Sequence, residues 1–387
     1  MNTNGHERRG TGVKGRGGQT VNTKHQTPNT REASNLKHQR RPEGLGAWSL
    51  VFLWCLVFGV WCLCSSCSGL HRVPSAAAAA APVWPLAPDQ PRIRYVRSIA
   101  TPADIGSGPG RWKRVVNFFT GETTEEERFA KPFAVALDEA GNLCLADTGK
   151  NAVYYFDLAH KKWHRWTAAG KQAFAFPVAV ACRKGVFYVA DSELGKILAF
   201  GEDGREVLTI AAPLQRPAGL AFLGDSLIVA DSQAQMVRIF DLAGHQKLQF
   251  GKRGLGPGEF NYPTHVGTDS QGHVLVTDSL NSRVQVFDSS GNFVAQIGGP
   301  GDAPGSFGRP KGVAADSFGH IYVVDALFDT VQVFDLSGRF LLPWGEGGTR
   351  PGQFGVPAGI AISQNNLIYV ADSYNRRVQV FEYLGEQ

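Results

Sequence analysis

Six aspartates recur along this chain, each closing a short apolar run and opening a turn: Asp147, Asp191, Asp231, Asp278, Asp325 and Asp372. They sit in near-identical phrases, from Ala146-Asp147-Thr148 to Ala371-Asp372-Ser373, at steps of 44, 40, 47, 47 and 47 residues. Carboxylates are what a divalent cation or acid–base chemistry would use. Catalysis needs one distinct site, however, and six equivalent copies argue for a structural duty. An Asp ahead of a tight turn accepts backbone N–H groups and stabilises it. In the fourth and sixth copies Arg283, and Arg376 or Arg377, follow closely enough to pair with that carboxylate.

A second set of residues lies in the segments between copies, at or near prolines: Arg216, Tyr262, His265, Arg309, Lys311 and Arg350. These are the candidates for binding. His265 stands two residues beyond Pro263, where the other five copies carry Ala134, Ala179, Gly219, Gly312 and Gly359. One imidazole does not make a zinc site. His273 and His320 fall in turns where the first copy has Asn142. The sequence offers no catalytic residues, no metal centre and no cofactor motif.

The elements that hold these residues follow from the repeat. A proline precedes each Asp by about fifteen residues (Pro132, Pro177, Pro217, Pro263, Pro310, Pro357) and opens an apolar run such as Arg309-Pro310-Lys311-Gly312-Val313-Ala314. Each unit reads as four short strands, a to d. In the fifth these are Gly312–Ala315, Ile321–Val324, Val331–Phe334 and Phe340–Trp344, separated by turns at Gly319, Asp325 and Gly338. Strand b is continuously apolar, as in a strand covered on both faces; strand c alternates, as in one nearer the solvent. Four-stranded units of 40–47 residues predict an all-β, six-bladed β-propeller over residues 92–387, with blades starting near 132, 177, 217, 263, 310 and 357.

The last unit stops after its third strand, Arg377–Tyr383. An open edge would leave backbone groups unpaired. Arg94–Ile99 matches the fourth-strand phrase Phe293–Ile297 and is expected to close the ring. An insertion at 102–131 follows it. There Trp112, Val115, Val116 and Phe119 fall at helical spacing beside Arg111, Lys113 and Arg114. The expectation is a short helix, packed on the propeller or docking a partner or membrane.

The chain has 387 residues, 43% hydrophobic and 19% charged, with 46 Gly, which excludes a disordered protein and a multi-span membrane protein. Its charge is lopsided. Residues 1–43 hold nine Lys/Arg and three Glu, a net of +6, so the rest has 30 basic and 31 acidic residues, a net of −1. Residues 1–43 read as a disordered basic tail. Residues 44–70 carry no charge and form a signal or membrane-anchor segment. Leu63-Cys64-Ser65-Ser66-Cys67 within it resembles a lipobox, which would lipidate Cys67; an uncleaved anchor is the alternative. Residues 71–91 read as an Ala/Pro-rich spacer. The expected location is therefore exported and membrane-anchored, in a bacterial cell envelope. Only Cys144 and Cys182 remain in the body, too few for a disulfide framework.

Asp278-Ser279-Leu280-Asn281-Ser282-Arg283-Val284-Gln285-Val286-Phe287, the related Asp372–Phe381 and the Pro-x-Gly-Ile/Val-Ala openings resemble the NHL repeat. Blades four to six fit well, and blades one to three lack the Asn and Arg of the turn. The order of targeting segment, spacer and propeller is similar to that of bacterial exported NHL-repeat lipoproteins. The resemblance implies a channel lined by strand a and a face shared by the d–a and b–c loops. It would place the six binding candidates there, around the channel mouth. It implies a protein-binding scaffold with partners in the cell envelope. Propeller lactonases and the amidating lyase hold a divalent ion with carboxylates, amides or several His, which this channel lacks, so a hydrolase or lyase is the weaker alternative. RNA binding, known for some NHL propellers, needs a positive face; the near-neutral body argues against nucleic acid.

Overall fold

The computed structural model describes residues 81–106, 127–211 and 213–385. The chain divides into two units, Met1–Ala77 and Ala78–Gln387, and every described residue lies in the second. The basic tail, the apolar segment with Cys67 and the helix expected at 111–119 fall outside the described residues.

Five four-stranded antiparallel sheets and one five-stranded sheet form the six blades. Each blade opens with its proline: Pro132–Leu137, Pro177–Arg183, Pro217–Leu223, Pro263–Thr268, Pro310–Ala315 and Pro357–Ile362 are the innermost strands a. Proline suits a first strand position, where no ladder N–H is needed. Strand b ends on the recurrent Asp in every blade, as in Ile321–Asp325 and Leu367–Asp372. The sixth blade closes as expected: Ile93–Ile99 pairs antiparallel with Arg377–Tyr383, Ile93 opposite Tyr383 and Ile99 opposite Val378.

Two readings need correction. Val83–Trp84, inside the segment taken as a spacer, pairs with Ile93–Ile99 as a fifth strand. The tryptophan explains this: Trp84 packs edge-on against Phe381, with ring centroids 5.9 Å apart. Strand c is also not near the solvent. Arg283–Phe287 is buried along its whole length, whereas the outer strand Phe293–Ile297 is mostly exposed. The alternation in strand c reflects polar side chains bonded inside the fold, not a wet face.

The described residues share no single core. Apolar side chains collect into six clusters, one at each junction between neighbouring blades. Val153 of blade one, for example, shares a cluster with Val180 and Phe187 of blade two. Sheets covered on both faces therefore read as continuous apolar runs. Cys144 and Cys182 are free thiols buried in that same junction, and burial pushes the Cys144 thiol well up.

Candidate functional site

The aspartates do their work within each blade. Asp147 accepts hydrogen bonds from the backbone N–H groups of Ala130 and Lys131, at 2.8 and 2.9 Å. Asp191 does the same for Ala175 and Phe176, Asp231 for Gln215 and Arg216, and Asp325 for Gly308 and Arg309. Asp278 takes the N–H of Asn261, and Asp372 that of Gly355. All six are fully buried. Each carboxylate thus clasps the incoming d–a loop against the b–c turn.

Blades four and six add side chains to the clasp. Arg283 donates Nε–H to Asp278 at 2.8 Å, and its Nη2 reaches the carbonyls of Gly256 and Glu259. Arg377, rather than Arg376, pairs likewise with Asp372 at 2.7 Å; Arg376 donates to the Phe129 carbonyl. Gln285, Gln332 and Gln379 in strands c bond the d–a loops of blades four to six through both amide atoms. Those loops are also pinned by Phe260, Phe307 and Phe354, each at most 1% exposed. Gly345 has φ 89°, and a Cβ there would overlap the Phe354 ring, so this close approach requires glycine. The long loops form a built platform.

The histidines of the turns are structural as well. His273 and His320 turn Nδ1 to Asp269 and Asp316, four residues earlier, at 2.6 and 2.8 Å. Asn142 fills the same place against Asp138. Among the described residues no group of three or more His, Cys, Asp or Glu is placed to hold a metal ion.

Five of the six binding candidates meet. A cavity of about 230 Å³ at the start of the inner strands is lined by Arg216, Tyr262, His265, Arg309 and Lys311, with Phe133, Phe176, Val178 and Leu280 supplying apolar wall. They converge because they flank the prolines that open strands a, so each enters the same end of the channel. Arg350 stands apart. It borders an outer cavity with Trp84 and Leu86, and its Nε–H reaches Gln353 at 3.3 Å.

Among the described residues no carboxylate lines the mouth cavity. Lys311 sits with Nζ 5.1 Å from the centre of the Phe133 ring. Burial, and then the charges of Arg309 and Lys131, bring its ammonium down to about 8. His265 is 9% exposed and lines both this cavity and the channel cavity of about 330 Å³ behind it. Burial, and then Lys311, hold its imidazole down to about 3, so it is neutral at physiological pH. Its ring partners are ordered. Ser279 donates its hydroxyl to the Pro310 carbonyl, and Thr264 donates to Ser279 at 3.2 Å. Thr264 is then left to accept from His265 Nδ1, 3.1 Å away. That assigns the proton to Nδ1 and leaves Nε2 an acceptor, and Nε2 is buried without a partner.

The candidates missed the apolar part of the face. Leu280, Leu327 and Tyr374 are 61, 62 and 77% exposed. They occupy one repeat position, two residues beyond the Asp in blades four to six, where blades one to three carry Gly149, Glu193 and Gln233. That shared position was the available signal.

Comparison with known families agrees with this architecture. Residues 354–381 match the NHL repeat, and residues 268–342 match a family described as a 6-bladed beta-propeller. The body is a six-bladed NHL-repeat propeller. No curated protein sequence matches the chain. Among solved structures, a streptogramin B lyase is similar at 12% identity and a TM-score of 0.51, covering 66% of this chain and 94% of its own. The virginiamycin B lyase of Staphylococcus aureus gives 13% identity and 0.51, covering 66 and 96%. A protein of unknown function from Bacteroides thetaiotaomicron gives 14% and 0.53, covering 66 and 70%. At such identities the likeness shows the NHL propeller's fold and nothing of its chemistry.

Proposed function

We propose that the propeller is a non-catalytic protein-binding scaffold, exported and held at a membrane of the cell envelope by the segment before residue 70. One observation carries the binding role. The d–a and b–c loop face joins the exposed side chains of Leu280, Leu327 and Tyr374 to a mouth lined by Arg216, Arg309 and Lys311. Apolar side chains beside positive charge are what a protein contact uses, anchors with a polar rim. The membrane role rests on the uncharged run at 44–70, with lipidation of Cys67 or an uncleaved anchor as its two forms.

The test is site-directed photo-crosslinking of the full membrane-bound chain. A crosslinker at Leu327 or Tyr374 is expected to give a discrete protein adduct, and one at Ser289, in a turn of the opposite face, none. Equal labelling from both faces, or none, overturns the reading.

A second reading has one observation in its favour, the buried and unpartnered Nε2 of neutral His265, a residue that lines the mouth and channel cavities. A lyase appears among the structures similar to this fold. Under this reading the propeller is a hydrolase or lyase, and a panel of lactones and esters with added Ca²⁺ or Zn²⁺ would show turnover that His265→Ala removes.

A further inference from the structure

The mouth cavity has a chemistry narrower than "positive". Arg216, Arg309 and Lys311 line it, and none of the three forms an ion pair among the described residues. The nearby Asp231 and Asp325 form no ion pair with these side chains: both take backbone N–H groups, and Asp231 pairs with Arg238 instead. Like charges gathered without a counter-charge call for an anion. The wall also includes His265 and Ser192, whose Nε2 and Oγ are buried without a partner, one an acceptor and the other able to donate, and an apolar side of Phe133, Phe176, Val178 and Leu280. The occupant that completes this set carries a negative group, an N–H or O–H donor close to it, and an apolar stem.

We propose that the cavity receives the C-terminal carboxylate of a partner polypeptide. A chain terminus has a carboxylate, an amide N–H one carbon away and a final side chain, which match the cations, Nε2 and the apolar wall in turn. The carboxylate of an Asp or Glu side chain has no N–H so close, and inorganic phosphate has no apolar stem. About 230 Å³ suits a terminal residue rather than a folded loop. The entrance lies on the face that carries Leu280, so the preceding residues of the partner would cross the apolar blades four to six. This inference rests on the protein-binding reading and names the group that reading would recognise.

The experiment is calorimetric titration of the full chain with small probes. N-acetyl-L-leucine is expected to bind saturably. N-acetyl-L-leucinamide, which lacks the charge, is expected to bind at least about tenfold more weakly, the usual scale for losing a charge-assisted hydrogen bond. N-acetylglutamic acid α-amide represents the side-chain source and 4-methylpentanoate lacks the N–H; both should bind measurably more weakly than N-acetyl-leucine. Lys311→Met and Arg309→Gln should each weaken N-acetyl-leucine by about tenfold or more, and Arg350→Gln should not. Equal binding of acid and amide, or an unchanged affinity in Lys311→Met, overturns the inference. Preference for the glutamate probe overturns the terminal source. If these fail while Leu327 still crosslinks a protein, the scaffold reading survives alone; if the probes bind and no protein crosslinks, the scaffold reading falls and the carboxylate site stands.

Discussion

A lysine held among other cations on an apolar wall should cost stability, and Lys311→Met measures that cost. Its ammonium lies at about 8 instead of 10.5, through burial first and then Arg309 and Lys131. At about 1.4 kcal/mol per unit, the charged form is disfavoured in the folded state by roughly 3 kcal/mol. Methionine keeps the stem and removes the charge. It also removes the contact with Phe133, worth about 1 kcal/mol, so the net gain is about 2 kcal/mol. For a body of this size that is a rise in Tm of about 4 °C. The pH dependence identifies the cause. Between about 8 and 10.5 the unfolded chain keeps a proton that the folded chain has released, so wild-type stability rises with pH across that window. The advantage of Lys311→Met should therefore be full below pH 8 and fade as pH approaches 10.5. Urea titrations of both proteins at pH 7 and pH 10 make the comparison. A destabilised variant, or an advantage equal at the two pH values, would refute the reasoning.

Three further outcomes are expected. Truncation before residue 100 removes the strand Ile93–Ile99 and should lower Tm far more than truncation before residue 91, which of the described strands removes only Val83–Trp84; equal melting would contradict closure of the ring. His265 is held down to about 3, so between pH 6.5 and 3 the unfolded state binds an extra proton and stability falls with acid; His265→Gln should flatten Tm against pH in that interval. If Cys67 is lipidated, Cys67→Ala should leave a heavier precursor while Cys55→Ala, Cys62→Ala and Cys64→Ala process normally, and an intact mass that includes residues 1–66 would support the uncleaved anchor instead.

Much of the fold was legible because the repeat states it twice, once in the prolines and once in the aspartates. Both phrases mark strand ends, where backbone chemistry restricts the residue types. The closing strand was legible for the same reason: its pattern matched an outer strand, and the last unit lacked one. Strand c was misread because Gln285 and Arg283 are polar yet buried, satisfied by Asp278 and by the carbonyl of Glu259. Polarity in a strand reports solvent only when no internal partner exists, and here one partner, the Glu259 carbonyl, lies 24 and 26 residues back along the chain from Arg283 and Gln285. Val83–Trp84 was hidden by the prolines around it. At the site, residues adjoining the blade prolines converged because strand a carries them to one mouth. Arg350 precedes Pro351, not Pro357, and the loop folds outward there before Phe354 is buried. A proline's identity in the repeat mattered more than its presence.

The clasps and the binding face are linked by energetics. Binding costs about 0.5–1.5 kcal/mol for each side chain it immobilises, and more where a loop must be ordered. In blades four to six that ordering is already present in the folded chain. Asp278, Asp325 and Asp372 hold the loop ends, the three glutamines hold the loop interiors, and the three buried phenylalanines fix their depth. Leu280, Leu327 and Tyr374 rise from these fixed turns, so a partner meets apolar side chains on a frame that does not have to be assembled. In blades one to three the c strands have no such glutamine, and the equivalent exposed positions are Gly149, Glu193 and Gln233. Rigidity and exposed apolar area thus coincide in the same half of the ring. The repeat's most regular residues pre-organise that half, and the residues that break the repeat, Lys311 and His265 above all, give the mouth its chemistry.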